Sequence, residues 1–287
     1  MSAMRNTIRL LIACRDARGI VAAVTTFVAE QGGNLLDADQ HTDPDHGEFF
    51  MRVAIERAGF ALTPDTFDAA WQPVARRFDM QWSIHWGQPV KRVAILVSKH
   101  GHCLSDLLWR RRSGELDVEI PIVISNHPDT ADIAREAGVP FEARPVMPGT
   151  KAAQEREVLA LLAAARADVV VLARYMQVLS PDFVRHYPHR IINIHHSFLP
   201  AFAGGAPYRQ AYERGVKMIG ATSHYVTEQL DAGPIIAQDA APTSHRDTIA
   251  DLIRKGRDLE RMVLARAVRL HVEDRILVSQ NKTVVFE

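Results

Sequence analysis

Cysteine is scarce: Cys14 and Cys103 are the only two in 287 residues, and they stand far apart in unlike surroundings. That scarcity predicts a reducing, cytoplasmic compartment and excludes a cysteine-based zinc site. An excess of one charge is missing too, since 34 Lys and Arg balance 34 Asp and Glu. Neither nucleic acid nor an anionic membrane is therefore expected as a partner. No apolar run approaches a membrane span, and the amino terminus lacks the apolar core of a signal peptide. Glycine-rich nucleotide loops are absent as well. The loop after residues 92–97 holds one glycine, Gly101, where a dinucleotide fingerprint needs three, and no Walker-type loop occurs. What remains is the composition of a soluble globular protein, long enough for one large domain or two ordinary ones.

The first part of the chain alternates strand and helix patterns. Residues 6–14 read as a strand, and Arg15-Asp-Ala-Arg-Gly19 is a polar break with Asp16 as a helix cap. From Ile20, Val21, Val24, Phe27 and Val28 recur at helical spacing until Gly32-Gly33. Residues 34–41 and 48–55 read as strands around a Thr42-Asp-Pro-Asp-His-Gly47 turn. Thr63-Pro64 opens a second helix with Pro at its tolerated first position. Pro73 within it predicts a kink or restart. Residues 80–86 supply a fourth strand, and the order βαββαβ is that of a ferredoxin-like module. Gly87-Gln-Pro-Val90 marks the expected boundary, giving domains 1–87 and 88–287.

Beyond it, strands are predicted at 92–97, 118–125, 141–146, 169–173 and 190–195, with helices after 103 and at 130–137 and 150–166. This alternation predicts an α/β fold with an open, mostly parallel, Rossmann-like sheet. Residues 218–225 and 234–241 read as an antiparallel edge, 248–271 as a long closing helix and 276–286 as a terminal strand or hairpin.

The stretch Arg190-Ile-Ile-Asn193-Ile-His195-His196-Ser-Phe-Leu-Pro200 concentrates the chemistry. In a strand Asn193 and His195 share one face and His196 takes the other, so His195 and His196 cannot ligate one ion from one face. His196 is expected to be structural, against the neighbouring layer. His100 and His102 could share a face, but no nearby carboxylate–cysteine set completes a metal site in the sequence. Ser197 lacks a Gly-x-Ser-x-Gly elbow. Cys103 opens a helix, where a thiolate would be stabilised, although plain buried packing explains it as easily. The turn Asp231-Ala-Gly-Pro234 offers a carboxylate. An amide and an imidazolium can hold the oxyanion of a tetrahedral intermediate while a carboxylate orients the imidazole. Taken alone, Asn-x-His is short and common, and a strand end satisfying its own polar groups explains it equally well.

The flanking residues add to this. Ile192-Asn193-Ile194-His195-His196-Ser197-Phe-Leu-Pro200, Gly220-Ala-Thr-Ser-His224-Tyr-Val and Leu230-Asp231-Ala-Gly-Pro-Ile235 together resemble the folate-dependent formyl-transfer family, on its deformylase side. So do Gly101-His-Cys-Leu-Ser-Asp-Leu-Leu108, Thr150-Lys-Ala-Ala-Gln-Glu155, Leu172-Ala-Arg-Tyr-Met-Gln-Val-Leu-Ser180 and Pro207-Tyr-Arg-Gln-Ala211. The amino-terminal module resembles an ACT domain at Gly19-Ile-Val-Ala-Ala-Val24, Asp39-Gln-His41 and Phe49-Phe-Met-Arg52.

The resemblance covers nearly the whole chain. It implies a formyltransferase fold behind an ACT domain, and hydrolysis of 10-formyltetrahydrofolate to formate and tetrahydrofolate, supplying formate for purine synthesis. By family pattern Asn193, His195 and Asp231 are catalytic. Arg174, Tyr175, Met176, Gln177, Val178 and Leu179 would line the pterin cleft, with Thr227 and Glu228 contributing. The folate is substrate, water is the acceptor, and no metal or other cofactor is implied. A homo-oligomer is expected, with the ACT module either binding a small amino-acid effector or serving as a dimerisation platform alone.

Two departures stand out. Glu142-Ala143-Arg144 replaces a histidine pair before Pro145, and Gly204-Gly205-Ala206 precedes Pro207-Tyr208 without the usual larger residue. The loop Lys99-His-Gly-His-Cys103 is bulkier than the phosphate loop of the family's ribonucleotide transferases, which favours water as acceptor. The alternatives are a formyltransferase acting on an amine such as glycinamide ribonucleotide, and a catalytically inactive folate-binding regulator.

Overall fold

The computed structural model describes residues 3–87, 89–200 and 207–287. The Gly204-Gly205-Ala206 departure and Gln88 of the expected boundary lie outside them. The chain divides into two compact units: Met1–Val90 with Glu273–Ser279 and Thr283–Glu287, and Lys91–Val272 with Gln280–Lys282.

The first unit contains β1 (Thr7–Arg15), α1 (Ile20–Glu30), β2 (Leu35–Asp43), β3 (Glu48–Glu56), α2 (Pro64–Arg77) and β4 (Gln81–His85). Its antiparallel sheet has the order β2-β3-β1-β4. Alternate residues of β1 and β3, including Ile8, Leu10, Ile12, Met51, Val53 and Ile55, bury themselves among Phe27, Phe67 and Trp71 of the helices. Each fully buried side chain of this size contributes about 1.5–3 kcal/mol.

The Thr66 hydroxyl accepts from the Thr63 N–H at 2.9 Å and closes the start of α2. The helix does not restart at Pro73; α2 runs on from Pro64 to Arg77. Pro73 forfeits one helical hydrogen bond, but Phe67 and Trp71 before it and Ala75 after it are buried on the same core.

The second unit carries a seven-stranded sheet, and its elements follow in chain order. They are β5 (Val93–Val97), α3 (His102–Ser113), β6 (Val123–Ser125), α4 (Ala131–Glu136), β7 (Phe141–Ala143), α5 (Lys151–Ala164), β8 (Val169–Leu172), α6 (Pro181–Arg185), β9 (Ile191–His195), α7 (Pro207–Arg214), β10 (Met218–Tyr225), β11 (Ile235–Pro242) and α8 (Ile249–Val272). Strand order is β11-β10-β9-β8-β5-β6-β7. The run from β9 to β7 is parallel, and β10 and β11 form an antiparallel edge.

The strand expected at 118–125 is confined to Val123–Ser125, because Pro121 has no N–H to give a ladder; only an isolated Arg92–Glu119 bridge precedes it. The strand expected at 141–146 likewise stops at Ala143, before Pro145. Two short helices, α6 and α7, were not anticipated from periodicity. The Ser180 hydroxyl caps α6 by accepting from the Phe183 N–H at 3.2 Å.

The tail forms a hairpin, β12 (Ile276–Ser279) with β13 (Lys282–Val285). Within the first unit Phe286 is buried, Ser279 donates to Glu48, and Asp274 receives Arg9 and Arg52. Among the described residues no helix is long and apolar enough to cross a membrane.

Candidate active site

Parallel α/β sheets present their chemistry just beyond the carboxyl ends of the strands. Asn193 and His195, alternate residues of β9, share a face there. Antiparallel β10 lies alongside and sets His224 directly opposite Asn193. The Nδ1 of His224 is 2.9 Å from the Tyr225 carbonyl and so carries the ring proton. That leaves Nε2 to accept from the Asn193 amide at 3.2 Å. The tautomer is assigned from this hydrogen-bond pattern. One N–H of the Asn193 amide is thus engaged, and the second is left to donate elsewhere.

Asp231 comes from the turn after β10. A Cβ at Gly233 would fall 1.8 Å from the Tyr225 carbonyl oxygen, so only glycine lets this turn press against the strand. Asp231 takes the left-handed conformation, φ 53°, which aspartate tolerates better than most residues. Its Oδ2 is 3.3 Å from His195 Nδ1. Its Oδ1 is 3.6 Å from His224 Nε2, beyond hydrogen-bond reach. The His195 imidazole holds the Asp231 carboxyl well below the usual carboxylate range against the effect of burial. His195 is 8% exposed, and its Nε2 is buried without a hydrogen-bond partner.

These groups open onto a cleft of about 360 Å³. Its wall includes every residue from Arg174 to Leu179, together with Thr227 and Glu228, so all the residues expected from the sequence meet in one place. Met176, Val178 and Leu230 are more than half exposed on that wall, the surface a flat apolar ligand would cover. The 174–179 segment is pinned at several points. The Met176 N–H donates to the Ser98 hydroxyl at 3.0 Å, the Ser98 N–H to the Arg174 carbonyl at 3.2 Å, and the Ser180 N–H to Glu155 at 3.0 Å. Arg174 itself is left-handed, φ 63°. Such a conformation costs about 1–3 kcal/mol in a non-glycine residue and is concentrated at functional sites.

Two expectations change, and one residue is added. His196 does not turn to the opposite layer: β9 ends at His195, the alternation ends with it, the two rings have centroids 5.4 Å apart, and both residues line the cleft. A carboxylate and a cysteine do gather beside His102, because packing of α8 on α3 brings in Glu260 next to Cys103. They are arranged as an ion pair. His102 Nε2 bonds Glu260 at 2.7 Å, the Arg174 guanidinium approaches the same carboxylate, and burial pushes the Cys103 thiol up. His224 is the residue that the sequence reading left without a role. Its signal was the cross-strand register of two motifs, which periodicity alone does not provide.

The chain matches the formyl transferase family model over residues 91–268 and the ACT domain model over residues 8–59. It is 54% identical to the formyltetrahydrofolate deformylase of Synechocystis sp. over 99% of this chain and 100% of that relative. The chain belongs to the formyltetrahydrofolate deformylase family. The formyltetrahydrofolate deformylase structure from Pseudomonas syringae pv. tomato aligns with a TM-score of 0.95 at 51% identity, covering 98% of this chain and 94% of that one. A more distant likeness joins this family to glycinamide ribonucleotide transformylase 1 from Symbiobacterium toebii. That structure aligns with a TM-score of 0.66 at 34% identity, over 69% of this chain and 95% of that one.

Proposed function

We propose that this chain hydrolyses 10-formyltetrahydrofolate to formate and tetrahydrofolate, with Asn193, His195 and Asp231 as its catalytic groups. The observation that carries the residue assignment is the buried, unpartnered Nε2 of His195 at the cleft, on a ring whose Nδ1 faces Asp231. The folate's pterin lies against the apolar wall of residues 174–179, with Thr227 and Glu228 at the rim. Water adds to the formyl carbon. The second N–H of Asn193 and the protonated Nε2 of His195 meet the developing oxyanion. Asp231 positions the water and stabilises the imidazolium from the Nδ1 side. As the intermediate collapses, the bond from the formyl carbon to N10 breaks, N10 takes up a proton, the water's second proton is released, and formate leaves. The folate is substrate rather than cofactor, and each step uses side chains of the chain itself.

Residues 88–287 form the catalytic domain in this reading, and residues 1–87 an ACT domain that regulates or assembles it. A homo-oligomer, a small amino-acid effector at the ACT domain, a cytoplasmic location and a supply of formate to purine synthesis complete the proposal. The test is formate release from purified protein at saturating 10-formyltetrahydrofolate, with and without glycinamide ribonucleotide. Formate at the same rate in both supports hydrolysis. Turnover that requires the ribonucleotide would replace it with transfer, and no turnover in either would leave a folate-binding regulator.

A further inference from the structure

Beside the cleft lies a buried cluster that the reaction above does not use. Glu260 of α8 is 1% exposed. One of its carboxylate oxygens accepts from His102 Nε2 at 2.7 Å, and the other accepts from the Tyr208 hydroxyl at 2.6 Å. Arg174 Nε stands 3.5 Å away, an ion pair without hydrogen-bond alignment. Burial opposes ionisation of Glu260, yet the His102 bond, the Arg174 charge and the Tyr208 bond hold its pKa below the ordinary glutamate value. Tyr208 is seated firmly. A Cβ at Gly256, one turn before Glu260 on α8, would fall 2.0 Å from its hydroxyl oxygen and 2.2 Å from the adjoining ring carbon. The same ring lies 6.1 Å from that of His196, which adjoins His195.

The position of the cluster gives it meaning. From β5 the sheet extends through β6 and β7 on one side and through β8 and β9 on the other. Open α/β sheets take ligands in the crevice at such a reversal, beyond the strand ends. His102 opens the helix after β5, and Arg174 follows β8, so the two flank that crevice. An amine acceptor approaching there needs room, and Glu260 is the buried carboxylate it would meet. Here both carboxylate oxygens are engaged, and a tyrosine ring fills space.

We propose that His102, Tyr208 and Glu260 close the acceptor side of the site from within, and that this closure commits the formyl group to water. The inference rests on the hydrolase reading and names His102 and Tyr208 as its specificity-determining residues. A structure named for glycinamide ribonucleotide transformylation shares this fold at 34% identity, so an amine acceptor is the alternative that the closure would have to exclude. Transfer to such an amine would form a bond from its nitrogen to the formyl carbon and break the bond from that carbon to N10. The proton lost by the amine would balance the one gained by N10.

The experiment compares the wild-type protein with a His102→Ala/Tyr208→Ala double variant, which removes the ring, and with Tyr208→Phe alone. All receive 10-formyltetrahydrofolate, with and without excess glycinamide ribonucleotide, and formate and formylated ribonucleotide are both quantified. Wild type should give formate only. The double variant should raise the fraction of formylated ribonucleotide by about tenfold or more over the wild-type background, with formate release persisting. Tyr208→Phe, which keeps the ring against Gly256, should raise it less and decides the matter if the double variant does not fold. A folded variant whose product ratio equals that of wild type would overturn the closure. Absence of formate from wild type without acceptor would instead overturn the hydrolase reading.

Discussion

In the amino-terminal unit the buried charges satisfy one another. Arg9 and Arg52 both bond Asp274, and Arg52 reaches Asp37 and the Glu273 carbonyl as well. Among the described residues of the larger unit four buried polar atoms have no hydrogen-bond partner: Nε2 of His195, Nδ1 of His196 and Nε of Arg174, all in residues lining the cleft, and the Thr130 hydroxyl outside it. A buried polar atom left unpaired costs about 1–3 kcal/mol, so a fold keeps several in one place only when something else uses them. Within the amino-terminal unit the one such atom among the described residues is the indole nitrogen of Trp71, inside the aromatic core. The difference separates polar groups placed for stability from polar groups held ready for a ligand.

Asp231→Asn should affect the open set most. Turnover should fall by about 10²–10⁴-fold, the usual worth of a positioned acid–base group, with folate affinity retained. Steady-state kinetics and folate binding check this, and an unchanged kcat would remove Asp231 from the reaction. In the closed set, Asp274→Ala should destabilise the protein by about 3–5 kcal/mol, because it removes one partner of a buried ion pair, while kcat per folded molecule stays the same. Urea unfolding read beside activity separates the two effects. A loss of kcat without a loss of stability would invert the comparison.

His224→Ala should lower kcat by about ten- to a hundredfold through misplacement of the Asn193 amide, with a smaller change in KM. Equal loss from both terms would make His224 a binding residue. The smallest effect concerns pH. The Asp231 carboxyl is depressed in the folded state, so its contribution to stability is fully present above the ordinary carboxylate pKa of about 3.9 and is lost as pH falls through its lower folded value. The stability gap between wild type and Asp231→Asn should therefore be flat from neutral pH down to about 5 and shrink only below that. A gap that closes around neutrality would show that the His195 imidazole does not hold this carboxylate.

Much of this molecule was readable without coordinates, and particular residues show why. Strand and helix order followed from local periodicity, which a buried strand such as Val169–Leu172 carries on its face. The errors occurred where one residue overrode a pattern. Pro121 and Pro145 cut strands short, while Pro73 failed to break a helix whose flanking turns are anchored in the core. His196 was misplaced because alternation was extended one residue beyond the end of β9. His224 escaped notice because its partner is set by register between strands, and register is absent from a linear pattern.

The sequence by itself determined the element order, the Asn-x-His strand end and the glycine-bearing turn that supplies Asp231, because each depends on neighbours within a few residues. Only the tertiary structure decided that Asp231 faces His195, that His224 holds Asn193, that Glu260 meets His102 across 158 residues of chain, and that the terminal hairpin groups with the first unit. Those meetings depend on strand order, register and helix packing, which bring distant residues together through the burial of apolar faces. No local stretch records which distant face it will bury against.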